Sequence, residues 1–159
     1  MKMEKQSSNL NKYSFFITIA ILVCYFRCLF GDFVFDDSEA IVNNEDVKGN
    51  KSIIEIFNDD FWGTNIKHKS SHKSYRPFTV LVFRFLVYLT KQLSSEQSGL
   101  NPKIFHSLNL IIYLIECLYL MKIVKSLLKG TKQVNESSFF ITLLFAVHPI
   151  HSEVVCICK

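Results

Sequence analysis

The chain has 159 residues, room for one ordinary domain, and its 18 basic and 14 acidic residues leave a net charge of +4, too mild for a nucleic-acid binder. Apolar residues make up 49%, with 15 Phe and 6 Tyr against 5 Gly and 3 Pro, which excludes disordered and collagen-like classes. A mean hydropathy of +0.21 points toward a membrane, and five Cys, an odd number, exclude a disulfide scaffold.

Residues 1–13 form a basic N-terminus with Lys2, Lys5 and Lys12, followed by an apolar run from Phe15 to Phe30 broken only by Thr18 and Arg27. A bilayer span takes about 20 residues, so residues 14–31 are predicted as a first transmembrane helix, with Arg27 snorkelling toward a headgroup. A cleaved signal peptide is the rival, but no small-x-small cleavage site follows the apolar run. The positive-inside rule places the N-terminus in the cytosol and residues 32–103 in the lumen. Cys24 and Cys28 in this run, like Cys117, Cys156 and Cys158, are predicted to pack as small apolar residues.

The lumenal loop carries two expected interfacial helices. Ser52 to Glu55 reads as a capping box, opening a short amphipathic helix near 52–62 that Gly63 stops. Phe61 and Trp62 suit the headgroup belt. The basic stretch 67–76 reads as a mobile loop. Residues 77–90 open on Pro77 and carry Arg84 at mid-length, which suits a helix lying in the interface with its charge in water. Asn50-Lys51-Ser52 is a glycosylation sequon and Asn50 its candidate acceptor; a second sequon, at Asn135, should be cytosolic and silent.

Residues 104–128 are predicted as the second transmembrane helix, with Lys122, Lys125, Lys129 and Lys132 marking its cytosolic end. A cytosolic loop, 129–137, leads to residues 138–157, expected as a third span or a span with a re-entrant lumenal end, whose His148-Pro149-Ile150-His151 segment lies at the lumenal end. The fold class is therefore an all-α membrane protein with about three transmembrane helices and a large lumenal loop.

Asp36 and Asp37 hold a carboxylate pair at the membrane surface beside Phe33, Val34 and Phe35. An apolar setting raises a carboxylate pKa and suits a base, although adjacent acids also simply mark the turn out of a helix. His106, Asn109, Tyr113 and Glu116 share one stripe of the second span, and such a stripe must face protein or water. Helix-to-helix hydrogen bonding explains it equally well. His148, His151 and Glu153 fall within six residues, but Pro149 interrupts the helix that would align them, and no metal site is assigned.

Five segments in register resemble the TMTC family, transmembrane and tetratricopeptide-repeat proteins of the endoplasmic reticulum. They are Phe33-Val34-Phe35-Asp36-Asp37, Asn58-Asp59-Asp60-Phe61-Trp62-Gly63, Ser71 through Val80, His106-Ser107-Leu108-Asn109, and Leu143 through Glu153. The resemblance implies a multi-pass protein of the endoplasmic reticulum membrane, part of a GT-C type O-mannosyltransferase. Such an enzyme takes mannose from dolichyl phosphate mannose, a lipid-linked donor, to Ser/Thr of secretory proteins, cadherin-like ones in particular, and needs no cofactor.

Carried over by position, Asp36 would be the general base and Asp37 its neighbour. Arg76, His106, His148, His151 and Glu153 are candidate contacts to the donor phosphate or sugar, assigned by their chemistry. Tyr113 departs from the family, whose members often carry a second His there. The chain is expected to be an N-terminal piece, inactive by itself. The alternative reading is a non-catalytic membrane adaptor; an ion or proton pathway along His106 and Glu116 ranks last.

Overall fold

The structure is a computed structural model that describes residues 2–34, 36–93 and 99–155, with side chains from residue 11 onward apart from those of Glu153 and Val154. Among the described residues every regular element is helical. They are α1 (Lys2–Tyr25), a 3-10 turn (Phe26–Phe30), a π-helical turn (Ser38–Val42), α2 (Glu45–Lys48), α3 (Ile53–Ile56), α4 (Pro77–Leu93), α5 (Pro102–Leu127), α6 (Val134–Ala146), a 3-10 turn (Pro149–His151) and α7 (Ser152–Val155). The chain divides into two compact units, one of residues 1–29 and 106–156, the other of 30–105 and 157–159.

The first unit holds most of both helices long and apolar enough to cross a membrane. Asn11–Phe30 covers 20 residues and Pro102–Leu127 covers 26. Within the unit α1 buries Ile17, Ile21 and Tyr25, the 3-10 turn after it buries Cys28, and α5 buries Leu110, Tyr113, Cys117 and Met121, each helix at helical spacing. The side chains left outside are larger and more apolar: Phe15, Phe16, Ile19 and Val23 on α1, and Ile111, Ile112, Ile115 and Ile123 on α5.

On α6 the inversion is complete. It buries Ser138, Thr142 and Ala146 and exposes Phe140, Ile141 and Leu144. Small residues four apart let α6 pack closely on α1, as helices do when their surroundings are as oily as their interior.

α6 has 13 residues, about 20 Å of helix, where a bilayer core needs ~30 Å. The stretch expected as a span over 138–157 is thus a helix that stops at Ala146, a break at Val147 and His148, and two short turns. Pro149 supplies no N–H to continue the ladder. Residues 156 and 157 of that stretch lie outside those described.

Cys28 is disulfide-bonded, which corrects the expectation of packed thiols, whereas Cys24 and Cys117 are free. An apolar neighbourhood carries no sign of pairing. On the polar stripe, His106 and Tyr113 are buried and Asn109 half-buried, but Glu116 is exposed. The buried stripe of α5 runs through 106, 110, 113, 117 and 121, and Glu116 stands to one side of it.

In the second unit α4 packs on α2 and α3, burying Val80, Leu86, Val87 and Thr90. Its other face carries Phe78, Val82 and Phe85, exposed together with Ile53, Ile54 and Phe57 of the α3 region. Such an apolar face suits a helix lying along a membrane surface. Arg84 is half-buried and its charge is tied down. Its guanidinium donates to Lys51 O at 2.8 Å and Gly49 O at 3.4 Å, tying α4 to the chain after α2.

The capping box forms: Ser52 N donates to Glu55 Oε2 and Glu55 N to Ser52 Oγ. The helix it opens is only Ile53–Ile56, because Phe57 and Asn58 close it with backbone bonds to Ile54 O and Glu55 O.

Candidate functional site

Asp36 and Asp37 open the helical stretch that continues into the π-helical turn Ser38–Val42. Asp37 N donates to Val34 O at 3.1 Å, so the backbone turns immediately after Val34. The two carboxylates diverge: Asp36 is exposed, whereas Asp37 is 7% exposed and engaged. Of the pair, Asp36 is the one open to a substrate. Arg76, also exposed, stands over the Phe61 ring at 5.2 Å, in the same unit. Asn50 is exposed, its amide nitrogen donating to Glu45 Oε2.

The imidazole segment belongs to the other unit and is built by two tyrosines. Where α6 ends, its last carbonyls lose their helical partners. Tyr113 Oη, from α5, donates to Ala146 O at 3.0 Å and also approaches Phe145 O at 3.4 Å; Tyr25 Oη, from α1, donates to His148 O at 3.3 Å. The two rings meet edge to face at 5.5 Å.

Held in this way, His148 caps the following turn, its Nδ1 accepting from Ile150 N at 3.3 Å. In the neutral ring the proton then sits on Nε2, which becomes the donor left for a ligand. His151 packs between Phe145, at 4.3 Å between centroids, and Tyr113, at 5.4 Å, and lies 6.2 Å from His148. His148 is exposed and His151 half-buried. Tyr113, the departure from the family pattern, is thus a clamp on this segment.

His106 is buried. Glu153 falls in α7, and its side chain lies outside those described. Among the described residues no group of three or more His, Cys, Asp or Glu could hold a metal ion.

A polar cluster in the second unit was not foreseen. Asp60 accepts four donors: Trp62 N and Thr64 N on Oδ1, both at 3.0 Å, and Ser71 Oγ at 2.5 Å and His72 N at 3.1 Å on Oδ2. Burial opposes its ionisation, but these hydrogen bonds outweigh burial and hold its pKa below the ordinary aspartate value. Through them stretch 67–76, expected to be mobile, is fastened in place; Lys73 Nζ adds bonds to Ile66 O and to His68 O.

Next to it Lys51 Nζ meets Asp59 Oδ2 at 2.5 Å, Gly63 O at 2.7 Å and Asp46 Oδ1 at 3.6 Å. Asp46 is 0% exposed, and burial, the largest influence, raises its pKa against the pull of Lys51. Asn44 staples the group, donating to Ala40 O and Phe61 O and accepting from Asp46 N.

The segment Asn58-Asp59-Asp60-Phe61-Trp62-Gly63, one of the five that carry the resemblance, therefore serves folding. Gly63 is required there. Its φ is +79°, and a Cβ would lie 2.6 Å from Asn44 Oδ1.

The chain is 44% identical over 137 residues to human protein O-mannosyl-transferase TMTC1, covering 86% of this chain and 14% of that protein. Against human TMTC3 the figures are 40% over 149 residues, 93% of this chain and 15% of the relative. A Caenorhabditis elegans protein O-mannosyl-transferase is 39% identical over 154 residues, 97% of this chain and 21% of its own length. The chain is homologous to part of the TMTC proteins. It spans about a fifth or less of the TMTC relatives it matches. No family profile and no solved structure matches it.

Proposed function

We propose that this chain supplies one wall of a membrane-embedded O-mannosyltransferase, in the endoplasmic reticulum, that moves mannose from dolichyl phosphate mannose to Ser/Thr hydroxyls of secretory proteins, cadherin-like ones among them. The observation that carries the proposal is similarity along 86–97% of the chain to proteins named protein O-mannosyl-transferases. The exposed Asp36 carboxylate, beside its buried neighbour, supports the role of base.

In the step envisaged, Asp36 takes the proton of the acceptor hydroxyl as its oxygen bonds to mannose C1. The bond from C1 to the phosphate oxygen breaks, and the lipid phosphate leaves with the electron pair. Hydrogen-bond donors stabilise that growing charge; the guanidinium of Arg76 is an exposed group of suitable chemistry in the unit that carries Asp36, and Nε2 of His148 is one in the other unit. His151 and Tyr113 position the segment that carries His148. Asp37 is assigned to shaping the turn that presents Asp36.

The test places Asn at the position matching Asp36 in a full-length TMTC relative, with transfer from lipid-linked mannose to an acceptor peptide as the readout. Loss of a positioned base lowers the rate by about a hundredfold or more, with unchanged amounts of protein in the membrane. Retained transfer rejects Asp36 as the base. Lost assembly with the same substitution favours the adaptor reading.

A further inference from the structure

Where α5 turns into α6 there is a cleft of about 560 Å³, and Lys122, Lys125, Lys129 and Lys132 line it. Their spacing of three, four and three residues carries them from the last turns of α5 into the connection. Glu136 is the single acid in the lining, and its carboxylate already accepts the Tyr13 hydroxyl at 3.4 Å. Among the described residues no ion pair engages any of the four lysines; Lys122 stands over the Tyr119 ring at 5.0 Å.

The backbone faces this cleft in a receptive form. α6 begins here with no side-chain cap, so its first-turn N–H groups stay available to an anion. Gly130, at φ +106°, has nothing within 4 Å of the place a Cβ would occupy. The cleft sits at the end of the apolar run of α5, and Tyr13, stacked on Phe139 at 4.9 Å, stands near the start of the apolar run of α1; in helices that cross a membrane those positions fall at the lipid headgroups.

We propose that this cleft binds the headgroup of a membrane phospholipid that carries a phosphomonoester. Four lysines against one glutamate leave a surplus of three positive charges in the lining. A phosphomonoester brings about −1.5 to −2 at neutral pH in addition to the diester charge, and so matches that surplus where a singly charged headgroup does not. The inference is independent of the transferase reading, because none of these residues belongs to the candidate site.

The experiment uses the full chain in phosphatidylcholine nanodiscs doped with phosphatidylinositol monophosphate, counting the lipid retained on the chain by native mass spectrometry. Each lysine near an anionic lipid contributes roughly fivefold in affinity, so joint Lys125→Gln, Lys129→Gln and Lys132→Gln substitution weakens retention about a hundredfold. The corresponding triple Lys→Arg variant keeps it. If the triple Gln variant fails to enter the membrane, Lys129→Gln alone, in the turn, is read for its single step. Unchanged retention in the Gln variants overturns the proposal, as does equal retention of phosphatidylserine. Equal binding of a water-soluble inositol phosphate overturns the lipid assignment and gives the cleft to free phosphate.

Discussion

Replacing Asp60 by Asn changes almost no volume and removes one charge from a carboxylate that gathers four donors. The Asn oxygen can keep the amides of Trp62 and Thr64. Its NH2 group then faces Ser71 and His72. The Ser71 hydroxyl can rotate to accept, but the His72 N–H cannot, and it is left without an acceptor. Hydrogen bonds to a charged group contribute about 1.5–3 kcal/mol and neutral ones about 0.5–1.5, and an orphaned buried donor costs about 1–3. Three downgraded bonds and one orphan sum to about 3 kcal/mol or more, roughly a hundredfold in the population of the open loop.

Amide hydrogen exchange of the full chain in micelles reads that population at Trp62, Thr64 and His72, whose N–H groups meet the carboxylate. The expected result is protection lower by about a hundredfold at these three amides. The pH arm fixes the cause. Because the folded pKa of Asp60 is depressed, its contribution is complete above the ordinary aspartate value of about 3.9 and is lost as pH falls through the lower folded value. After correction for intrinsic chemistry, protection in the parent declines only under strongly acid conditions, and in Asp60→Asn that step is absent. Protection unchanged at His72 in the variant refutes the assignment of Asp60 as the hub.

Lys51→Met strands the carboxylates of Asp46 and Asp59 in a buried setting and lowers the stability of the loop unit by about 3–5 kcal/mol; adding Asp59→Asn recovers part of the loss, read by the denaturation midpoint. Gly63→Ala forces a Cβ onto Asn44 Oδ1 in a left-handed conformation and costs about 1–3 kcal/mol in the same assay; a neutral result rejects the close approach. Asp46 has a raised pKa, so its contribution is complete below the ordinary aspartate value and falls as pH rises through the folded one. Asp46→Asn therefore gains on the parent with rising pH, opposite in sign to Asp60. Tyr113→Phe releases the carbonyls of Ala146 and Phe145, costing about 1 kcal/mol, and speeds amide exchange at Ile150 and His151; unchanged exchange there removes Tyr113 as the clamp.

Local signals were legible and distant ones were not. Ser52 and Glu55 could be read as a capping box because both partners lie within four residues, and Pro77 as a helix start because its ring acts on its own φ. The apolar stretch 104–128 coincides within two residues with a helix, α5, Pro102–Leu127, since hydropathy needs no partner. Asp60 was invisible as a hub, because Ser71 and His72 arrive from eleven and twelve residues away. The same holds for Arg84, whose acceptors lie 33 and 35 positions upstream, and for Tyr25, 123 positions from His148. α6 hides its packing face for another reason: that face is Ser138, Thr142 and Ala146, and a search for apolar stripes selects the opposite one.

The same distinction narrows the choice among the aspartates. Asp32, Asp36, Asp37, Asp46, Asp59 and Asp60 are one residue type within 29 positions, and composition cannot rank them as bases. The fold does. Asp59 is committed to Lys51 and Asp60 to four donors, so removing a proton acceptor from either removes structure with it. Asp46 has the raised pKa that a base often shows, but it is sealed at 0% exposure and no substrate hydroxyl reaches it. Asp37 is buried and engaged. Asp32 is exposed but engaged, and Asp36 is the exposed aspartate proposed as the base; a substitution there is expected to separate chemistry from folding where the same change at Asp59 or Asp60 cannot.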